Sequence, residues 1–223
     1  MNLQDLIKCV DHTLLSPTAT QNDFNTLCDE ALEYKPASVC VPPSAVINCV
    51  NYLENKIPVC TVVGFPNGYN SSETKAFEAA LAVEQGAKEI DMVINLNFVK
   101  SKDYKEVLRD ILYVRKVTED AILKVIIETS SLTEDEKITL CTVISSSGAD
   151  FIKTSTGFGS GGATPEDIIL FKEHIAQHVK IKASGGIQTP EDGFKFLELG
   201  ASRLGTSKII KLAKAGGKIT EGY

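Results

Sequence analysis

Eight times along this chain a short apolar run of β-favouring residues gives way to a longer amphipathic stretch, with no break in composition between units. The runs are Ile7–Val10, Ser38–Val41, Val59–Val63, Glu89–Ile94, Leu123–Ile127, Phe151–Thr154, Ile181–Ala183 and Arg203–Leu204. The stretches between and after them predict helices over Thr20–Tyr34, Ala45–Leu53, Ser72–Gln85, Tyr104–Thr118, Glu134–Ser147, Pro165–His178, Glu191–Leu199 and Lys208–Ala215. In the first of these, Phe24, Leu27, Cys28, Ala31 and Leu32 recur at helical spacing. Ser44, Thr133 (with Glu136 three residues on) and Thr164 (before Pro165) read as N-caps. Gly86 and Gly200 read as helix stops.

Parallel strands need helical crossovers, and a sheet covered on both faces shows continuous apolar runs instead of alternation. Eight such units in 223 residues predict an α/β protein with a single-domain (β/α)8 TIM barrel spanning residues 1–223. A doubly wound open sheet is the alternative, because local pattern does not show closure. With 43% hydrophobic and 23% charged residues the chain can build a sizeable core.

A net charge of −6 argues against nonspecific binding to nucleic acid or an anionic membrane, and no apolar run reaches spanning length. The N-terminus carries Asp5 and Asp11 and lacks the basic head of a signal peptide. The six cysteines, Cys9, Cys28, Cys40, Cys49, Cys60 and Cys141, show neither CxxC spacing nor a His/Cys cluster. They read as reduced thiols of a cytoplasmic protein. Barrel enzymes often pair, so a homodimer is the expected assembly.

Polar residues stand where such a core should exclude them. The first strand ends in Asp11 and Thr13, the second carries Cys40, the fourth Asp91 and the fifth Lys124 with Glu128 after it. The sixth carries Lys153 and the seventh Lys182. Taken singly, a strand-end lysine more often marks where a strand meets water, since buried lysine needs a partner. Taken together, acids and lysines at the ends of neighbouring strands point to one site at the C-terminal face of a barrel.

A lysine is a nucleophile only when neutral, and a second cation nearby favours that state. A neutral amine can condense with a carbonyl to an iminium, which draws electrons and lets an adjacent carbon–carbon bond break or form. An aspartate, a second lysine and a water can move the proton that this requires. The chemistry calls for no cofactor and no metal. Glycine turns follow three adjacent strands: Gly157 and Gly159, Gly185-Gly186, and Gly205-Thr206-Ser207. Their backbone amides suit a phosphate, so a phosphorylated ligand is expected.

These segments resemble the Schiff-base-forming deoxyribose-phosphate aldolases over nearly the whole chain. The resembling segments are DHTLL from Asp11, VCVPP from Val39, TVVGFPNG from Thr61, EIDMVIN from Glu89, KVIIETS from Lys124, DFIKTSTGF from Asp150, IKASGGI from Ile181 and RLGTS from Arg203. The resemblance implies that Lys153 forms the Schiff base and that Lys182 supplies the positive charge that lowers its pKa. It implies that Asp91 relays the proton, and that Asp11 and Thr13 order Lys182 and a water. Gly157, Gly185, Gly186, Gly205 and Ser207 would hold the phosphate. The implied reaction is reversible cleavage of 2-deoxy-D-ribose 5-phosphate to acetaldehyde and D-glyceraldehyde 3-phosphate, in deoxynucleoside breakdown. Cys40 corresponds to a cysteine beside the site that is sensitive to aldehyde by-products. Phe158 stands where some relatives carry a lysine toward the phosphate, and Tyr223 corresponds to a C-terminal tyrosine that closes over the site. On the residues alone, an enolising epimerase or isomerase and a catalytically silent sugar-phosphate sensor remain as alternatives.

Overall fold

The structure is a computed structural model, and it describes residues 1–216. In chain order the elements are α1 (Leu3–Ile7), β1 (Val10–Thr13), α2 (Gln21–Tyr34), β2 (Ser38–Val41), a 3-10 turn (Pro43–Ala45), α3 (Val46–Leu53), β3 (Val59–Val63), α4 (Ser72–Glu84), β4 (Glu89–Val93), α5 (Leu96–Lys100) and α6 (Tyr104–Val117). There follow β5 (Ile122–Ile126), a second 3-10 turn (Thr129–Ser131), α7 (Glu134–Ser145), β6 (Phe151–Lys153), α8 (Pro165–His174), β7 (Lys180–Ser184), α9 (Pro190–Leu199), β8 (Arg203–Thr206) and α10 (Ile209–Lys214). The strands close into one parallel barrel in sequence order, with Asp11 of β1 registered to Gly205 of β8. That last pairing rules out the open sheet. Among the described residues no helix is long and apolar enough to cross a membrane.

The pleat sorts each strand's residues between two environments. Val39, Val41, Ile90, Met92, Leu123, Val125, Ile152, Ile181, Ala183 and Leu204 face outward into the buried layer between sheet and helices. The alternate positions point into the barrel and carry most of the charge: Asp11, Glu89, Asp91, Lys124, Lys153, Lys182 and Arg203. The outer layer supplies the hydrophobic stabilisation; the barrel's interior is a polar cluster on a rigid frame.

Local chemistry explains both the agreements and the departures. Thr20, Thr133, Thr164 and Thr189 each close a capping box with the acid three residues on, which starts α2, α7, α8 and α9. The first strand begins at Val10, and Ile7 instead ends α1. There Asn2 and Asp5 form another capping box, and Leu6 and Ile7 are the buried residues of that short helix. Ser44 does not cap α3: it lies inside the 3-10 turn that the Pro42-Pro43 pair imposes, and Ala45 precedes the helix without a side-chain bond. Helix α8 stops at His174, because Ile175 turns to an extended backbone with ψ 153°. Helix α5, started by the side chain of Asn95, has no counterpart in the sequence-based pattern.

Candidate active site

Adjacent strands carry the lysines and the acid in register. Lys153 on β6 is the partner of Lys182 on β7, and Asp91 on β4 is the partner of Lys124 on β5. All four point into the barrel, and Lys153 alone of them ends its strand. Asp91 is fully buried, and its two oxygens are shared out. Oδ1 accepts from Lys124 Nζ at 2.8 Å and from Cys60 Sγ at 3.2 Å. Oδ2 accepts from Lys153 Nζ at 2.7 Å and from Lys182 Nζ at 2.6 Å.

A second tier lies below. Lys182 also donates to Asp11 Oδ2. Asp11 Oδ1 accepts from Ser38 Oγ at 2.8 Å and from Arg203 Nη1 at 2.6 Å. Glu89 Oε2 bridges Lys124 at 2.6 Å and Arg203 at 3.1 Å. Sequence reasoning gave no part to Glu89 or Arg203. The signal was available: each lies two residues before an assigned position, Asp91 or Gly205, and so on the same face of its strand.

Mutual charge fixes the ionisation of this cluster. Burial alone would raise the Asp11 and Asp91 carboxyls, but the surrounding lysines outweigh it and hold both below the usual carboxylate range. Burial alone would likewise lower Lys182 and Lys124, but the adjoining carboxylates outweigh it and hold both ammonium groups above the usual lysine value. Lys182 therefore stays cationic throughout the physiological range.

Above the cluster opens a cavity of about 480 Å3. Lys153 is on its wall together with Thr13, Gly157, Gly185, Gly186, Gly205 and Ser207, whereas Lys182, Asp91 and Asp11 lie beneath it. The predicted residues thus come together in two layers, a wall and a floor. Thr13 donates its hydroxyl to the carbonyl oxygen of Asp11, at 2.8 Å, rather than to Lys182. Cys40 is buried beside its register partner Cys60 and is not on the cavity wall. Tyr223 lies outside the described residues.

The loops after β6 and β7 are tied together. Thr154 Oγ1 donates to the Ser184 carbonyl at 3.1 Å, and Ser184 Oγ donates to the Ser155 carbonyl at 2.5 Å. Gly157, Gly185 and Gly186 all have φ near +80°, in the left-handed region that favours glycine. Among the described residues, the amides of Gly157, Gly185, Gly186 and Ser207 have no hydrogen-bond acceptor. Gly205 answers to a different constraint: a Cβ there would come within 2.9 Å of Ser184 Cβ and 3.2 Å of Lys182 Cε. Its smallness lets the Lys182 stem pass. Glu128, after β5, adopts φ 56° and accepts from the Thr156 amide at 3.2 Å, which anchors the loop that follows Lys153.

Cys40, Cys60 and Asp91 offer two sulfurs and an oxygen within 4.8 Å of one another. Three lysines already occupy that carboxylate, and they oppose a cation there. The arrangement suits amine chemistry instead. An amine on a cavity wall, backed by a fixed carboxylate and a permanent second cation, attacks a carbonyl once it has shed a proton.

The chain is similar to known proteins over nearly its whole length. The sequence matches the DeoC/LacD family aldolase profile over residues 6–205. It is 53% identical over 212 residues to a deoxyribose-phosphate aldolase of Clostridioides difficile, covering 95% of this chain and 97% of that one. It is 52% identical over 223 residues to one of Clostridium botulinum, covering 100% of both. The fold superposes on the deoxyribose phosphate aldolase of Aeropyrum pernix, a tetramer, with a TM-score of 0.90 at 30% identity, covering 97% of this chain and 93% of that one. The chain belongs to the DeoC/LacD family of aldolases.

Proposed function

We propose that this enzyme reversibly cleaves 2-deoxy-D-ribose 5-phosphate to acetaldehyde and D-glyceraldehyde 3-phosphate through a Schiff base on Lys153, in deoxynucleoside breakdown. One observation carries the choice of lysine. Lys153 and Lys182 share Asp91 Oδ2, but only Lys153 is on the cavity wall.

The barrel interior holds three carboxylates (Asp11, Glu89, Asp91) against four cationic side chains (Lys124, Lys153, Lys182, Arg203). The carbonyl is attacked by Lys153 as the neutral amine, which faces the substrate from the cavity wall. Its nitrogen adds to the C1 aldehyde; loss of water from the carbinolamine gives the iminium. Removal of the C3 hydroxyl proton then drives cleavage of the C2–C3 bond. The bonding pair moves to the iminium as an enamine, and C3 leaves as the aldehyde of glyceraldehyde 3-phosphate. Protonation of the enamine at C2 and hydrolysis release acetaldehyde and free Lys153.

Asp91, held ionised by its lysines, passes a proton on rather than storing it, and Lys182 and a water complete the relay. Asp11 holds Lys182 in place, and Thr13 shapes the wall above. The unpaired amides of Gly157, Gly185, Gly186 and Ser207 receive the phosphate. Six free cysteines fit a reducing cytoplasm. Helices α4 and α6, which pack together, expose Phe77, Leu81 and Leu112, a face on which a homodimer could form.

The deciding experiment is reduction with sodium borohydride in the presence of acetaldehyde, followed by peptide mapping. The expected product is an N-ethyl adduct on Lys153. An adduct on Lys182 would reverse the two roles, and an unmodified protein would remove covalent catalysis from the account.

A further inference from the structure

With a net charge of −6, the chain offers no overall field to draw in an anion, so attraction must be local. The cavity wall supplies it. The charged side chains on it are Lys153, Lys208 and Lys211, with no aspartate or glutamate among the described residues that line it. Once Lys153 is bound to substrate carbon, two cations remain, one in the turn after β8 and one in α10.

Neither lysine forms an ion pair with a carboxylate among the described residues. Lys211 also borders a side chamber of about 300 Å3 that holds Asp23 and Glu30. Both acids are engaged elsewhere, Asp23 by the Thr20 amide at 2.7 Å, and Glu30 by His12 at 2.9 Å and Lys214 at 3.0 Å. Across the same cavity Phe158 packs edge to face on Phe65, with ring centroids 5.3 Å apart, and brings no charge. The unpaired amides of Gly157, Gly185, Gly186 and Ser207 present dipoles, but a phosphate dianion also needs counter-charge.

We propose that Lys208 and Lys211 bind the substrate's terminal phosphate dianion and set the enzyme's preference for phosphorylated over unphosphorylated deoxy sugar. The inference rests on the aldolase reading above. It assigns discrimination between the two sugars to the segment that follows β8, apart from the Lys153 chemistry. Both side chains are exposed, so their substitution leaves the barrel core untouched.

The test compares Lys208→Met, Lys211→Met and the double variant with the parent enzyme. Acetaldehyde release is followed from 2-deoxyribose 5-phosphate and from 2-deoxyribose. Each substitution should lower the ratio of kcat/KM for the two sugars roughly tenfold, and the double variant about 100-fold, since a hydrogen bond to a charged group carries about that factor. Lys→Arg at both positions should restore most of it. Calorimetric titration of the full-length enzyme with inorganic phosphate should show the same loss of affinity. A ratio retained in the double variant, or equal losses on both sugars, overturns the proposal. Should the parent release acetaldehyde from neither sugar, the aldolase reading falls by itself. The phosphate titration then still decides: undiminished affinity in the double variant rejects the lysines.

Discussion

Lys153 and Lys182 are register partners on adjacent strands, and their ammonium groups meet at one oxygen of Asp91. The pair differs in what lies around it. Lys153 borders the cavity, while Lys182 is fully buried and also holds Asp11. Lys153→Leu should therefore abolish acetaldehyde release while keeping the thermal midpoint near that of the parent. Lys182→Leu should abolish it too, but should also leave two buried carboxylates short of a partner and cost about 3–5 kcal/mol. Parallel activity assays and denaturant titrations separate the two outcomes. Equal destabilisation by both would mean that Lys153 is a structural ion-pair member and no more.

Gly205 gives a second, steric test. A methyl group at this position meets the Lys182 stem and Ser184 at sub-contact distances. Gly205→Ala should displace Lys182 from Asp91 at an overpacking cost of about 1–3 kcal/mol. Turnover should fall by at least an order of magnitude, roughly the rate lost per 1.4 kcal/mol of transition-state stabilisation. Calorimetry should show inorganic phosphate still binding, because the amides that receive it are unchanged. Loss of phosphate binding with normal turnover would place the role of Gly205 in the phosphate cradle instead.

His12 predicts how stability follows pH. Its ring is buried against α2, with Nε2 2.9 Å from Glu30 Oε2 and Nδ1 without a partner. Burial lowers its pKa despite the opposing pull of Glu30. In the unfolded chain histidine titrates near ~6.5. Below that pH the unfolded state binds the extra proton first, so stability is full above about 6.5 and declines as pH falls toward the lower folded value. Urea midpoints between pH 7.5 and 5.5 (roughly the span around that pKa) should fall on acidification, and the slope should shrink in His12→Gln. A midpoint that rises on acidification would show that Glu30 wins over burial.

The barrel was legible in the sequence because eight apolar runs alternate with capped amphipathic segments, and that alternation survives single-residue errors at element ends. Ile7 was misplaced because an apolar pair next to a strand looks like more strand, and the Asn2–Asp5 capping box that claims it is only five residues long as a helix. That Lys153, Lys182, Asp91 and Asp11 gather in one cluster was legible because charge inside an apolar run has few structural uses. The partition between wall and floor was not, since inward-pointing residues at different heights look alike along the sequence. Lys208 and Lys211 read along the sequence as ordinary surface charge, because only the closed barrel brings their segment round to β6 and β7 and onto the cavity wall.

Lys75 and Asp110 form a buried pair outside the active site, and the two residues should couple strongly. Lys75 Nζ donates to Asp110 Oδ2 at 2.6 Å and to the Val93 carbonyl at 2.9 Å, tying α4 and α6 to the end of β4 two residues beyond Asp91. Its stem also fills the space above Gly64, where a Cβ would come within 2.8 Å of Lys75 Cε. Burial lowers the Lys75 pKa and raises that of Asp110, so each charge depends on the other being present. Asp110→Leu alone leaves an ammonium without its carboxylate and should cost about 3–5 kcal/mol. Lys75→Met alone should cost a similar amount, because it strands Asp110. The double variant should recover most of the loss, as apolar replacements of buried pairs often do, while the freed Val93 carbonyl keeps it about 1–3 kcal/mol below the parent. A double-mutant cycle from urea titrations measures this directly. Additive single-variant losses would show that the two charges act independently and that the Val93 contact, rather than the ion pair, anchors the end of β4.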